Sequence, residues 1–234
     1  MFVKFDCTLQ EGIFLRRYKR FFVDIATPEG LELTVHCANT GSMTGCSTPG
    51  NRIWYSTSPN PKRKLKHSIE LVETDERHLV CVNTARANQL VSEVLDHKLV
   101  HQVPKSEQFR REVTIPEEKG RFDFGNETTV IEVKSVTWGS GGIGRFPDAR
   151  SSRATRHVQA LRLLAKQGYN AILFFAVLHT GVETVTVASE VDVDYANAMR
   201  QALNENVKVF AYRWMLSPVE MKLDREIPFY VEAL

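Results

Sequence analysis

The sequence predicts two joined domains, a small all-β barrel followed by a mixed-sheet α/β domain, and three observations carry that expectation. The chain has 234 residues, more than the roughly 100–200 of a usual single domain. Its first third reads as short strands and turns with no helical period, whereas residues 85–234 alternate strand-like and helix-like segments. Hydrophobic residues make up 43% and charged residues 25%, a balance that supplies two cores and excludes a disordered protein.

In the first domain, 1–84, strand-forming stretches lie near 20–26, 31–37, 52–56, 68–73 and 79–82. Thr27-Pro28-Glu29-Gly30 is a tight-turn signal between the first two, which predicts a hairpin. Five short strands in this span fit a small barrel of the OB type. From 85 to about 100, Leu90, Val94 and Leu95 recur at helical spacing and predict a linking helix. The second domain, 85–234, then predicts strands at 121–124 and 130–136 and a helix at 151–166. A strand at 171–178, another near 182–187, a helix near 194–204 and a strand at 207–214 follow. The run 171–178, AILFFAVL, is the longest apolar stretch, as a strand covered on both faces requires. It falls well short of the roughly 20 residues that span a bilayer, and the N-terminus lacks a signal-peptide core. Cysteines 7, 37, 46 and 81 form no CxxC pair, so free thiols in a cytoplasmic protein are expected.

The net charge of +2 is unremarkable, but its distribution is not. Residues 1–66 carry ten Lys and Arg against five acids, and 149–182 carries five basic residues and no acid. Arg16, Arg17, Lys19, Arg20, Lys62, Arg63 and Lys64 are the first zone's candidates for contact with a polyanion, and Arg153 and Arg156 the second's. Solvated faces balanced by acids elsewhere are the alternative explanation of such zones.

The chemistry concentrates in Arg121-Phe122-Asp123-Phe124 and Ile131-Glu132-Val133-Lys134. Strand alternation puts Phe122 and Phe124 on one face with Asp123 on the other, and it turns Ile131 and Val133 inward with Glu132 and Lys134 opposite. If the two strands form a hairpin, two carboxylates and an ammonium converge. A hard divalent cation takes such oxygen ligands, Mg²⁺ or Mn²⁺ held by Asp123 and Glu132 with Glu112 as a further carboxylate, and Lys134 faces the charge that develops on a phosphodiester. A plain ion pair on an exposed strand accounts for the same residues without chemistry.

An Asp followed about ten residues later by E-x-K on the next strand resembles the PD-(D/E)xK nuclease superfamily, with Phe122 in place of its usual Pro. More of the chain resembles the sugar fermentation stimulation protein A family. The matching residues run from Arg17-Tyr18-Lys19-Arg20-Phe21 through Asn39-Thr40-Gly41, Met43, Gly45, Cys46, Pro49 and Gly50 to Cys81-Val82-Asn83-Thr84 and Ala87-Asn88. They continue with Arg121, Asp123-Phe124, Ile131 to Thr137, Phe146-Pro147-Asp148-Ala149 and His157. The resemblance implies an OB-like domain, a nuclease-like domain, and a DNA-binding protein that regulates sugar metabolism. Two departures stand out. Arg153-Ala154-Thr155-Arg156-His157 replaces the family's Arg-Gly-x-Lys-His, and the stretch Gly139-Ser140-Gly141-Gly142-Ile143-Gly144 is glycine-rich, which predicts a mobile approach to the site.

That same stretch satisfies G-x-G-x-x-G, but Pro147 follows at once and no acid lies between Asp148 and Glu183, so a dinucleotide turn is excluded. His36-Cys37 and Cys46 lack the partners of a zinc site. His157 shares a helix face with Arg150 and Arg153, where it meets either a phosphate or only water. Phe14, Tyr18, Phe21 and Phe22 interleave with basic residues, a pattern that suits base stacking, although a barrel needs about half of them for its core. Two functions follow: largely sequence-independent DNA binding, and divalent-metal-dependent hydrolysis of DNA or RNA. The oligomeric state is left open, a homodimer included.

Overall fold

The computed structural model describes residues 1–103, 108–114 and 120–231; the last three residues of the expected second domain lie outside them. Strand β1 (Phe2–Lys4) opens the chain, followed by β2 (Gln10–Tyr18), β3 (Phe22–Ala26), β4 (Glu32–His36), β5 (Arg52–Thr57), β6 (His67–Glu73) and β7 (Leu79–Cys81). After helix α1 (Ala85–Asp96) come β8 (Arg110–Thr114), β9 (Arg121–Gly125), β10 (Thr129–Val136), β11 (Trp138–Ser140) and β12 (Ile143–Phe146). The remainder is α2 (Ser152–Lys166), β13 (Asn170–Val177), β14 (Thr184–Val187), α3 (Val193–Asn204), β15 (Lys208–Leu216), β16 (Glu220–Ile227) and β17 (Phe229–Tyr230).

Strands β2, β3, β4, β6 and β5 form a ring that the parallel pairing of His36 with Ser68 closes, which makes the N-terminal unit a five-stranded OB barrel. Phe14, Val23, Ile25, Val35, Ile53 and Ile69 fill it and are fully buried. Side chains of this kind contribute about 1.5–3 kcal/mol each when removed from water. The barrel's first strand, β2, falls in the basic and aromatic stretch where alternation is hard to see. A register shift between Phe14 and Arg16 interrupts the period of two.

The larger sheet runs β1-β16-β15-β13-β10-β9-β8, with β10, β13 and β15 parallel. Its central strand is covered on both faces, as its unbroken apolar run requires. Ile172, Phe174, Ala176 and Leu178 pack toward α1, and Ala171, Leu173, Phe175 and Val177 pack toward α2 and α3. Helices α2 and α3 start where Ser151 and Asp192 cap them, accepting from the Ala154 and Tyr195 N–H groups. Asp192 also accepts from the Ser151 N–H at 2.8 Å, which ties the two helix starts together.

The two units share strands and core. β1 lies at the edge of the large sheet, paired with β16. The core under α1 gathers Val3, Trp54, Leu71 and Cys81 with Leu90, Val94, Ile131 and Trp214, so barrel and sheet share one apolar layer. The glycine-rich stretch is the β11–β12 hairpin, whose turn takes Gly141 and Gly142 at φ of 57° and 82°. Gly139 and Gly144 lack side chains for a packing reason, since a Cβ there would stand 2.5 Å and 2.8 Å from Val182.

Candidate metal and nucleic-acid cleft

Phe122 and Phe124 do not share one core as strict alternation predicts. Phe122 packs against the α2 side and Phe124 against the α1 side, because β9 pairs with β10 at Gly125–Val130 and Phe124–Ile131 and then leans away. Asp123 sits where the strands part. Its Oδ2 accepts the Val133 backbone N–H at 2.8 Å, taking the place of a strand carbonyl, and its Oδ1 accepts from Asn88 Nδ2 of α1 at 2.6 Å.

Glu132 is buried rather than displayed on an open polar face. Its Oε1 accepts from Lys134 Nζ at 2.6 Å and from His157 Nδ1. Arg153 Nε lies 3.5 Å from His157 Nε2. Lys134 Nζ and His157 Nδ1 are 3.4 Å apart, a contact of two donors that only the shared carboxylate between them makes tolerable. Glu132 Oε2 is buried and has no hydrogen-bond partner.

Burial pushes the Asp123 carboxyl above the usual carboxylate range, and the charge of Glu132 adds to this. The Val133 N–H, Asn88 and Lys134 oppose the shift without cancelling it. Burial pushes Glu132 upward as well, but the His157 hydrogen bond and the charges of Lys134 and His157 outweigh it and leave Glu132 below its ordinary range. The pair thus has one carboxylate compensated by cations and one held against its preference.

These residues form the floor of a cleft of about 630 Å³. One wall is the barrel loop that carries Asn39, Gly41 and Ser42; the other is the segment that leads into α2, with Asp148, Arg150 and Arg153. The walls are tied together. Met43 N–H donates to Asp148 Oδ2 at 3.1 Å, Ser42 Oγ bonds the Asp148 carbonyl, and Asn39 Nδ2 reaches Thr137 Oγ1 at 3.4 Å. Gly41 has no room for a side chain, since a Cβ would stand 2.2 Å from the Asp148 carboxylate.

Of the residues singled out by sequence, the structure brings Asp123, Glu132, Lys134, His157, Arg153 and Arg20 to this cleft. Glu112 is elsewhere: exposed on the edge strand β8, with Arg121 at 4.0 Å, it does not line the cleft. Arg17 is occupied by the protein itself, donating from Nε, Nη1 and Nη2 to the carbonyls of Arg20, Gly41 and Asn39. Arg16 pairs with Asp24 at 2.8 Å, and Lys19 is exposed at the β2–β3 turn. Arg156 lines a neighbouring groove between α2 and α3. Lys62 and Lys64 are exposed on the β5–β6 loop, where Arg63 binds Ser68 Oγ at 3.1 Å and faces a separate cleft with His36 and Glu70. Asn88, Asn39, Asp148 and Ser135 were given no role by sequence reasoning, although all four fall in the stretches that carry the family resemblance.

Among the described residues no three His, Cys, Asp or Glu side chains are grouped to hold an ion. Two carboxylates, one with an unused buried oxygen, fit a hard cation that keeps several waters, as Mg²⁺ does. They do not fit a soft or fully caged metal. The cysteines take no part: Cys37, Cys46 and Cys81 are buried and free, the last two with thiols pushed up to about 12 by burial.

Two family models match the chain, one described as the SfsA N-terminal OB domain over residues 15–82 and one as the sugar fermentation stimulation protein RE domain over residues 85–220. A sugar fermentation stimulation protein homolog of Aliivibrio salmonicida (strain LFI1238) is 43% identical over 235 residues, covering 98% of this chain and 100% of its own. The structure of Pyrococcus furiosus SfsA in complex with Ca²⁺ matches with a TM-score of 0.87 over 97% of this chain and 98% of that one. At 21% identity that likeness is one of fold.

Proposed function

This chain belongs to the sugar fermentation stimulation protein family, and from that premise we propose that it binds DNA along the Asp123 cleft and cleaves it with a divalent cation. The observation that carries this reading is the buried Glu132 Oε2 left without a partner beside an Asp123 carboxyl raised by burial and by that same neighbour. A buried acceptor in this state costs about 1–3 kcal/mol unless something occupies it, and a cation shared with Asp123 removes both penalties. The Ca²⁺ in the Pyrococcus furiosus relative supports an oxygen-ligand cation site in this fold.

Asp123 and Glu132 would hold the ion, with Mg²⁺ or Mn²⁺ suited to their hard oxygens. When bound, the cation supplies Lewis-acid polarisation of a phosphodiester and a more acidic water. The chain's own groups do the rest. Lys134 would present a positive charge beside the place where phosphate charge develops, and the Glu132 carboxylate orients it. His157, in contact with Arg153, engages Glu132 Oε1 and leaves Oε2 without a partner in the protein. Arg20, Arg150 and Arg153 give the walls a positive lining for the sugar-phosphate chain. Contact with DNA through such groups is largely sequence-independent, and any effect on sugar metabolism, which the relatives' name carries, lies downstream of it.

Incubation with single- and double-stranded DNA and RNA, with and without Mg²⁺ or Mn²⁺, tests the proposal. Cleavage that needs the metal and disappears in Asp123→Asn, with DNA binding retained, is the expected result. Binding of no nucleic acid at any salt concentration sinks the whole reading; binding without metal-dependent cleavage leaves a DNA-binding protein alone.

A further inference from the structure

We propose, resting on the nucleic-acid reading above, that the cleft takes one unpaired strand, with a base stacked on Phe21 at the β2–β3 turn and the adjoining phosphate on Arg20. Three independent features of the barrel converge on this.

The first is the turn itself. Phe21 is a large apolar side chain left 45% exposed, beside Arg20, which lines the cleft. The neighbouring Tyr18 ring is partly covered, stacked on Phe22 at 5.5 Å and with Arg16 at 5.5 Å. Phe21 is the more open ring of the group, next to Arg20 in the chain. Alternating aromatic and basic groups is how proteins hold unpaired strands, because every base offers a π face whatever the sequence.

The second is the effort spent in fixing that turn. Lys19 and Arg20 both adopt left-handed backbone, at φ of 47° and 63°, where side chains other than Gly, Asn and Asp are seldom found. Arg17 holds the strained turn in place, since its three donors join the Arg20 carbonyl to those of Asn39 and Gly41 in the cleft wall. Left-handed residues serve a tight hairpin turn in any case; the Arg17 brace is what fixes this turn at the rim of the cleft, with Arg20 lining it and Phe21 beside it.

The third is the closure of the wall. The cleft of about 630 Å³ lies within the roughly 300–1,000 Å³ of sites that enclose a small ligand, so it admits a short segment of a strand. The barrel loop cannot swing aside without breaking the Met43 and Ser42 bonds to Asp148, on which Gly41 is also tightly packed. The carboxylates on the floor are thus reached by a strand that has left its duplex.

Fluorescence anisotropy in EDTA, where nothing is cleaved, compares a labelled oligonucleotide with its own duplex against wild type, Phe21→Ala and Phe21→Trp. The single strand should bind at least tenfold more tightly than the duplex. Phe21→Ala should lose roughly tenfold for the single strand and leave the duplex unchanged, while Phe21→Trp keeps the affinity. A 2-aminopurine in the strand should be quenched by wild type and by Phe21→Trp but not by Phe21→Ala, and circular dichroism should show all three folded. Equal affinity for strand and duplex, or an unaltered Phe21→Ala, overturns this inference and leaves the nucleic-acid reading standing. Binding of neither probe overturns both.

Discussion

Two charged clusters sit in the same domain and are built on opposite principles. At the β15–β16 side, Arg213 bonds Asp224 Oδ2 at 2.8 Å through Nε and also contacts Glu183 and the Val182 carbonyl. Arg225 reaches Glu183 at 2.5 Å and Asp224 at 3.0 Å, so two cations and two carboxylates close on themselves. At the cleft, Lys134 and His157 both converge on a single oxygen of Glu132, leaving Oε2 unmatched, and Asp123 is satisfied only by neutral N–H donors. The first arrangement asks for nothing more from its surroundings. The second leaves one buried carboxylate oxygen over, which an added cation would match under the proposed function, and this mismatch, not the number of charges, sets the two clusters apart.

Substitutions in each cluster should therefore fail in different currencies. Asp123→Asn should reduce metal-dependent cleavage by roughly a thousandfold, since the variant loses one of two carboxylate ligands; a rate within tenfold of wild type would place the chemistry elsewhere. Arg213→Met should leave cleavage near wild type but destabilise the fold by about 2–3 kcal/mol in urea unfolding. This is below the usual penalty for breaking a buried pair, because Glu183 is half exposed and water recovers part of the loss. A full-strength fold with Arg213 gone would erase the contrast between the two clusters.

Stability should move the other way at the cleft. The folded pKa of Asp123 lies above its unfolded value, so the stability it contributes is present below the unfolded pKa and is lost as pH rises through the folded one. Without metal at neutral pH, Asp123→Asn should thus melt higher than wild type, and Mn²⁺ should raise the wild-type melting temperature and not the variant's. Glu132 has the opposite sign: its folded pKa is depressed, so its contribution is present above the unfolded pKa and is lost as pH falls through the folded one. The metal-free protein should therefore show two opposed acid-range effects, which a stability–pH series of Asp123→Asn against wild type separates. The smallest effect concerns the rim. Arg16→Ala should change DNA affinity by less than about twofold, because its charge is already paired with Asp24, whereas Arg20→Ala should weaken it several-fold.

Much of this was legible in the residues. Turn chemistry at Thr27-Pro28-Glu29-Gly30 was enough for the β3–β4 hairpin and the run 171–178 for a sheet covered on both faces, because both are local signals; β2, which completes the barrel, was hidden by its register shift, and the expected strand at 79–82 is β7, outside the ring. The cleft was legible in its carboxylates, since an E-x-K on a strand must place Glu132 and Lys134 together. What escaped was set by contacts distant in sequence. Phe122 and Phe124 part company because β9 leans off β10, which alternation cannot anticipate. Glu112 was placed by proximity in sequence to Asp123, yet it takes a left-handed backbone at φ of 53° and turns toward Arg121 at the sheet edge. Arg17 looked like a free cation in the sequence because nothing local reveals that the carbonyls of Asn39 and Gly41 will come to its guanidinium from another loop.

The measurement that bears most directly on the account is anomalous diffraction from crystals soaked in millimolar Mn²⁺, for wild type and for Asp123→Asn. The account predicts one ion in the wild-type cleft, ligated by carboxylate oxygens of both Asp123 and Glu132, with Lys134 close by but not a ligand, and no ion in the variant. A wild-type cleft without anomalous density, with Glu132 Oε2 turned to a protein donor instead, would contradict it.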